Sequence, residues 1–71
     1  MAKTEIKNVI GSNIRKLREI RNFSQDRLSK LTDLSLNTIV KIEAGKNNNP
    51  TIDTLSRIAR SFGVRVDDLI S

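Results

Sequence analysis

Apolar side chains recur every three or four residues along most of the chain, which is the spacing of one face of an α-helix. In the first third, the positions with this spacing are Ile6, Ile10, Ile14, Leu17 and Arg21. The pattern restarts in a new phase after each polar break, which is typical of several short helices and not of a coiled coil. We therefore predict an all-α fold with five helices, over residues 5–21, 25–31, 36–44, 52–61 and 67–70.

Residues that favour helix ends stand at the breaks between these segments. Ser24, Ser35 and Thr51 are good N-caps, because their hydroxyl oxygens can accept a hydrogen bond from the first turn of a helix. Gly45 and Gly63 are placed to end the third and fourth helices. The polar loop before Pro50 then separates those two helices.

The same spacing predicts which side chains face the core. On the second, third and fourth helices these are Leu28, Leu31, Ile39, Ile42, Leu55, Ile58, Ala59 and Phe62. The first helix is less sharply bounded, because Thr4 could cap it but Gly11, which weakens a helix by up to about 1 kcal/mol, favours a start nearer that residue. On the third helix, Leu36 and Val40 point away from the two isoleucines. This helix therefore has a second, partly apolar face that a single core does not need.

Composition and charge narrow the function. The 71 residues contain no cysteine and no histidine, which excludes disulfides and argues against metal sites. Apolar runs are short, so we expect neither a membrane span nor a secretory signal, and a cytoplasmic location is the default. Residues 1–46 hold ten basic and five acidic side chains, whereas residues 47–71 hold three of each. A basic half suits a nucleic-acid surface, but a general bias towards solubility explains it equally well.

Two helices joined by a short turn, the second starting at a serine cap, form a helix-turn-helix arrangement at about residues 25–44. The chain resembles the phage Cro and lambda-repressor family of DNA-binding domains in five segments: IRKLRE (14–19), FSQDRLSKL (23–31), LSLNTIVKIEAGK (34–46), PTIDTLSRIARSFGV (50–64) and VDDLI (66–70). The resemblance covers residues 14–70, about four-fifths of the chain. It implies one helix-turn-helix domain over residues 1–71, with the five-helix lambda-repressor-like fold.

The chain departs from the family pattern at three positions. Asp33 stands where a glycine is usual in a left-handed turn, a conformation that aspartate tolerates better than most residues. Ser29 replaces a small alanine between the second and third helices, where its hydroxyl can bond back to a carbonyl one turn earlier. Arg65 replaces the usual serine or threonine cap, so the sequence supports the fifth helix least.

The resemblance also implies which residues would contact DNA. The third helix would lie in the major groove, where Asn37 can pair with adenine, Lys41 with guanine, and apolar side chains can pack on thymine methyl groups. The expected base contacts are Leu36, Asn37, Val40 and Lys41. The expected phosphate contacts are Ser24, Gln25, Ser35, Lys46, Asn47 and Asn48. Each of these side chains has an ordinary alternative, either packing within the protein or facing solvent.

Two structural roles follow from the same resemblance. Arg18 and Glu43 fall where the family has an ion pair between the first and third helices, and Gln25 falls where it braces the third helix. Family dimers often meet around the fifth helix. The candidates for that contact are Val64, Val66, Leu69 and Ile70, each of which suits a core position equally well.

The function implied is a sequence-specific transcriptional regulator, of the repressor or restriction-modification controller type, that binds a pseudo-palindromic double-stranded DNA operator as a homodimer. A protein-interaction module, such as an antitoxin that grips a toxin or a bridging coactivator, is the second hypothesis. We expect no enzyme, because the chain has no histidine base, no cysteine nucleophile and no glycine-rich phosphate loop. We also expect no cofactor, no small-molecule ligand and no membrane partner. The operator sequence, the sign of regulation and membership of a longer regulator stay open at this point.

Overall fold

The described part of the chain forms five α-helices. A computed structural model describes residues 2–47 and 49–71, with side chains from residue 9 onward. The helices are α1 (Ala2–Ile20), α2 (Gln25–Thr32), α3 (Leu36–Glu43), α4 (Ile52–Phe62) and α5 (Val66–Ile70). The predicted all-α class is therefore confirmed, and four of the five helices both begin and end within one residue of the predicted bounds, while α1 begins three residues earlier than predicted.

Three helices begin with the predicted hydroxyl cap. The side-chain oxygen accepts a hydrogen bond from the backbone N–H three residues later, at 3.0 Å for Ser24, 3.1 Å for Ser35 and 3.1 Å for Thr51. Helix α5 starts in another way, because the Asp68 carboxylate accepts the backbone N–H of Arg65 at 3.0 Å. A carboxylate in the first turn also suits the positive end of the helix dipole. The fifth helix therefore forms without a hydroxyl cap.

The core lies where the five helices meet. Its fully buried apolar side chains are Ile14, Leu28, Ile39, Ile42, Leu55, Ile58, Ala59, Phe62 and Leu69. Partly buried side chains close its edges: Ile10, Leu17, Phe23, Leu34, Val64 and Val66. Each helix contributes at least one buried residue, so helices too short to be stable alone are held by a shared apolar interior.

Helix α1 begins earlier than the sequence predicted. It starts at Ala2, so Thr4 lies within the helix and Gly11 lies near its middle. Gly11 is buried, and a Cβ atom there would clash with the carbonyl oxygen of Ile42 in α3. The glycine therefore marks a close approach of two helices and not a helix start. Ile6 and Lys7 have side chains outside the described part of the chain.

The prediction that Leu31 faces the core is wrong. Its side chain is 47% exposed, and Thr32 is buried in its place because α2 continues one residue further than predicted. The Thr32 hydroxyl donates to the carbonyl of Leu28 at 2.8 Å, so its burial leaves no unpaired polar group. The position four residues after Leu28, and not the one three residues after it, faces inward.

Arg21, which shares the apolar spacing of α1, is also exposed and lies just beyond the end of that helix. Its guanidinium carbon lies 6.0 Å from the centre of the Phe62 ring, so Arg21 covers the core from outside.

Among the described residues, no helix is both long enough and apolar enough to cross a membrane.

Candidate nucleic-acid interface

The turn between α2 and α3 fixes the direction in which α3 leaves the bundle. Asp33 adopts the left-handed conformation predicted for it, with φ 59° and ψ 30°. The backbone N–H of Leu34 donates to the carbonyl of Ser29 at 3.1 Å, which satisfies a carbonyl at the end of α2. Ser29 packs where predicted and its hydroxyl donates to the carbonyl of Asp26 at 2.6 Å. The departures from the family pattern therefore keep the turn intact.

Helix α3 has two faces with different surroundings. Ile39 and Ile42 are buried in the core, with 1% of each side chain's surface exposed. On the opposite side, Leu36 is 43% exposed and Val40 is 39% exposed. We call the exposed side the outward face of α3, and it consists of Leu36, Asn37, Val40, Lys41 and Ala44. All four residues expected to contact bases thus lie together on one accessible surface.

An ion pair ties α1 to the last residue of α3. The Nε of Arg18 lies 2.7 Å from Oε2 of Glu43, and its Nη2 lies 3.0 Å from Oε1. The Glu43 side chain is only 4% exposed. Gln25 joins the pair, because its side-chain Nε2 donates to Glu43 Oε1 at 3.0 Å. Residues of α1, α2 and α3 therefore meet at the Glu43 carboxylate. The Arg18 Nη1 also donates to the carbonyl of Phe23, between α1 and α2, at 2.9 Å.

This network keeps Arg18 charged. Its hydrogen bond to Glu43 raises the pKa of the Arg18 guanidinium, and the Coulombic attraction of the same carboxylate adds to that effect, while burial opposes it. A charged arginine against a nearly buried carboxylate leaves little net charge at this point. The three helices are therefore joined by a neutral, fully hydrogen-bonded group beside the outward face.

The residues expected to contact phosphate lie at the two ends of this region. Ser24 and Ser35 are exposed at the N-termini of α2 and α3, where backbone N–H groups and the helix dipole favour anions. Lys46 and Asn47 follow α3, and their backbone N–H groups both donate to the carbonyl of Lys41, at 2.9 and 3.1 Å. Asn48, named with them from the sequence, lies outside the described residues.

The residues named as dimer candidates have unequal exposure. Leu69 is fully buried, so of the two roles predicted for it, dimer contact or core position, it has the core position. Its backbone carbonyl accepts a hydrogen bond from Asn13 in α1 at 2.9 Å, which holds α5 against α1. Val64 and Val66 pack against the core edge and are half-buried. Ile70 is 48% exposed, and it alone of the four offers a largely free apolar side chain.

An aromatic pair beneath α2 was not predicted. The rings of Phe23 and Phe62 stack with their centres 5.9 Å apart, and the guanidinium carbon of Arg27 lies 5.6 Å from the centre of the Phe23 ring. Phe23 directly precedes the N-cap Ser24, a position where an apolar residue commonly packs against the first turns of the helix. The place of Phe23 directly before an N-cap could have predicted that its ring packs against the protein.

A second unpredicted contact ties α4 to the turn. The Nε of Arg57 donates to Oδ2 of Asp53 at 2.9 Å, and its Nη1 donates to the carbonyl of Thr32, the last residue of α2, at 3.4 Å. Only the i, i+4 pair with Asp53 was visible in the sequence. The contact with Thr32 joins residues far apart in the chain, so no local pattern indicates it.

Comparison with known proteins supports the same architecture. A family model described as a helix-turn-helix domain matches residues 11–71. The control protein C.SmaI of Serratia marcescens is 31% identical over 67 residues, which is 94% of this chain and 79% of that protein. The uncharacterised HTH-type transcriptional regulator MJ0272 of Methanocaldococcus jannaschii is 36% identical over 52 residues, or 73% of this chain and 77% of that one.

A solved structure has the same fold. The restriction-modification controller protein C.AhdI from Aeromonas hydrophila superimposes with a TM-score of 0.83. The match covers 89% of this chain and 94% of C.AhdI, with 22% sequence identity. At that identity the likeness shows the shared arrangement of helices.

Proposed function

This chain belongs to the helix-turn-helix domain family, and we propose that it is a sequence-specific regulator of transcription that reads double-stranded DNA with the outward face of α3. The observation that carries the proposal is the exposure of that face. Leu36 and Val40 are 43% and 39% exposed beside the exposed polar side chains of Asn37 and Lys41, although α3 already buries Ile39 and Ile42 on its other face. A mixed apolar and polar helix surface of this kind suits a DNA major groove.

Each side chain on the outward face has a matching partner on base edges. The Asn37 amide can both donate to and accept from an adenine, and Lys41 can donate to the N7 and O6 acceptors of a guanine. Leu36 and Val40 cannot hydrogen-bond bases, but they can pack against thymine methyl groups. The Arg18–Glu43 pair and Gln25 hold α3 in place, so these side chains are presented by a rigid helix.

Phosphate contacts would supply the affinity that does not depend on sequence. The Ser24 oxygen accepts the capping hydrogen bond from Arg27, so its own proton stays available to a phosphate oxygen. The Gln25 amide has a second N–H besides the one that meets Glu43. We assign Ser35, Lys46, Asn47 and Asn48 to the same role. The net charge of +5 agrees with a polyanionic partner.

We further propose that two copies bind one pseudo-palindromic operator. One domain of 71 residues offers few base contacts, and two-fold pairing doubles them. The longest dimension of the protein is 33 Å. A protein of this size is compatible with two copies whose α3 helices lie one DNA turn apart, about 34 Å. Ile70, with Val64 and Val66 beside it, is the apolar surface that we assign to this contact.

The similarity to C.SmaI, a control protein, over most of both chains favours a regulator of the controller type. A repressor uses the same face of α3 and the same operator symmetry. The competing hypothesis is a protein-binding module, because Leu36 and Val40 could equally contact another polypeptide. Asn37 and Lys41 on the same face and the basic charge of residues 1–46 favour DNA.

Binding to duplex DNA of random sequence separates the two hypotheses. At about 50 mM salt we expect measurable binding that weakens steeply as salt rises, because each neutralised phosphate releases counterions. Selection of bound sites from a random pool should then return a sequence with two related half-sites. If no duplex is bound below high-micromolar protein at the same salt concentration, a protein partner becomes the better explanation of the outward face.

A further inference from the structure

A groove runs between α1 and α3 along one side of the outward face. Its lining residues are Arg15, Arg18, Gln25, Val40, Glu43 and Ala44. Val40 and Ala44 belong to the outward face itself, so anything seated against that face also borders the groove. The other wall comes from α1 and the start of α2, and neither the family match nor the resemblance gives the groove a role.

The α1 wall of the groove is a stripe of three residues. Gly11, Arg15 and Arg18 are spaced by four and three, so they lie on the same side of the helix. The missing side chain of Gly11 lets this stripe approach the end of α3, where a Cβ would meet the carbonyl of Ile42. Arg18 then reaches Glu43 at 2.7 Å. Arg15 lies between these two positions on α1 and lines the groove together with Val40.

The charges of the groove are unequally engaged. Glu43 is nearly buried and is neutralised by Arg18, with Gln25 as a second donor. Within the described part of the chain, the ion-pair partner of Arg15 is the exposed carboxylate of Glu19, at 3.4 Å, and both of those side chains are largely in solvent. Exposed pairs of this kind are weak, so the Arg15 guanidinium can exchange Glu19 for another anion. The accessible charge of the groove is therefore positive and belongs to Arg15.

We propose that Arg15 is a phosphate-binding residue that clamps the DNA strand on the α1 side of α3. A helix in the major groove has a sugar–phosphate backbone along each flank, and the groove between α1 and α3 lies along one flank of the outward face. The planar guanidinium can bind two phosphate oxygens at once. This inference rests on the proposed function and adds a contact from α1, outside the helix-turn-helix itself.

Lys16 supplies a matched control. It is the next residue on α1, it is exposed, and it carries the same charge, but it lies about 100° further round the helix and does not line the groove. If α1 attracts DNA only through its general positive field, then Arg15→Gln and Lys16→Gln weaken binding equally. If Arg15 meets a phosphate, only its replacement removes a released counterion.

The experiment measures the affinity of full-length wild type, Arg15→Gln and Lys16→Gln across a series of salt concentrations. The probes are a random-sequence duplex and the duplex selected by the wild type. For Arg15→Gln we expect the slope of log K against log salt to fall by about 0.9 per bound protomer. If wild type and variant have equal affinity at 1 M salt, this change of slope lowers the affinity of the variant at 0.1 M roughly eight-fold per protomer. Lys16→Gln should keep the wild-type slope and lose less than about two-fold.

Equal slopes for the two variants would overturn the inference while leaving the proposed function intact. If the wild type binds neither duplex, the proposed function is wrong, and the inference about Arg15 is wrong as well. Thermal unfolding of both variants provides the folding control, since each replaces an exposed side chain. An Arg15→Lys variant should recover most of the slope, because one positive charge still meets the phosphate.

Discussion

Arg18 and Glu43 lie 25 residues apart in the chain and meet through two hydrogen bonds, at 2.7 and 3.0 Å. The pair joins α1 to the last residue of α3, and it lies within the protein because only 4% of the Glu43 side chain is exposed. Since the pKa of Arg18 is raised, its stabilising effect is fully present below the unfolded-state pKa and is lost only as pH rises through the folded-state value. Rising pH therefore does not discharge Arg18 within the range in which DNA binding is normally measured.

Removing one partner of this pair should be costly. We expect Arg18→Met to lower the free energy of unfolding by about 3–5 kcal/mol, because Glu43 is left as an unpaired buried charge. The double variant Arg18→Met/Glu43→Leu should lose less than the single variant, since no charge remains to be desolvated. Arg15→Met, which breaks an exposed pair on the same helix, should lose less than about 1 kcal/mol. Urea denaturation measures all three, and a cost for Arg18→Met as small as that for Arg15→Met would contradict the buried pair.

Gly11 gives a prediction in which two physical effects have opposite signs. Helix propensity alone predicts that Gly11→Ala stabilises α1 by about 1 kcal/mol. The new Cβ would clash with the Ile42 carbonyl, however, and overpacking of this kind costs about 1–3 kcal/mol. We expect a net loss of stability in thermal unfolding.

Ser12→Ala is the control for Gly11→Ala, since Ser12 is the exposed next residue of the same helix. Its change should stay within about 0.5 kcal/mol. A clear gain of stability for Gly11→Ala would mean that α1 and α3 are further apart than described.

Replacing Asp33 should raise the stability of the protein without changing the outward face of α3. Its φ of 59° places a non-glycine residue in the left-handed region, and its negative charge lies at the negative end of α2. We expect Asp33→Gly to raise the free energy of unfolding by about 0.5–1 kcal/mol, and Asp33→Asn to raise it by a few tenths through loss of the charge.

The contact with Arg57 that these variants lose is 3.8 Å long and lies on the surface, so it should not offset the gain. Asp33→Ala serves as the opposite control and should lower stability, because alanine tolerates a positive φ poorly. A stabilised alanine variant would show that the turn is not strained.

The helix ends were predicted well because they depend on local chemistry. Ser24, Ser35 and Thr51 each bond to a backbone N–H three residues away, and such contacts are fully encoded in a short segment. Asp33 took its left-handed conformation for the same reason. Family resemblance extended this to the order of helices, and the matches to a helix-turn-helix family model and to C.AhdI confirm it.

The errors concern distances between helices that no local pattern contains. Gly11 is a weak helix residue by propensity, and only the approach of α3 explains its place in the middle of α1. Leu31 and Thr32 exchanged roles because the hydroxyl of Thr32 can bond within its own helix and be buried without penalty. Leu69 was an equal candidate for core and interface, and the packing of α5 against α1 placed it in the core.

The interface also has one part that the sequence predicts and one part that depends on how the helices pack. The outward face of α3 was predictable, because Leu36 and Val40 share a helical side opposite Ile39 and Ile42. The groove beside it was not, since it depends on how α1 and α3 lie together. The role proposed for Arg15 therefore has no counterpart among the sequence-based predictions above.

Replacing Ile70 tests whether two copies of the protein associate through α5. We expect Ile70→Lys to shift the protein towards monomers in sedimentation experiments without DNA, because a charge at an apolar contact is costly to bury. Ile20→Lys is the control, since Ile20 is also an exposed apolar residue at the last position of a helix. Ile20→Lys should leave the fraction of monomers unchanged. A wild type that stays monomeric even on its selected DNA would remove the homodimer from the account.

The most direct test of the outward face is a comparison of sites selected from random DNA by wild type, Asn37→Ala and Lys46→Ala. Asn37→Ala should relax the base preference at one position of each half-site by about 1–3 kcal/mol and leave the other positions unchanged. Lys46→Ala should keep the selected sequence and weaken binding to all sequences alike. If Asn37→Ala instead selects the wild-type sequence with wild-type preference at every position, the outward face of α3 does not read base pairs at Asn37, and the central claim is contradicted.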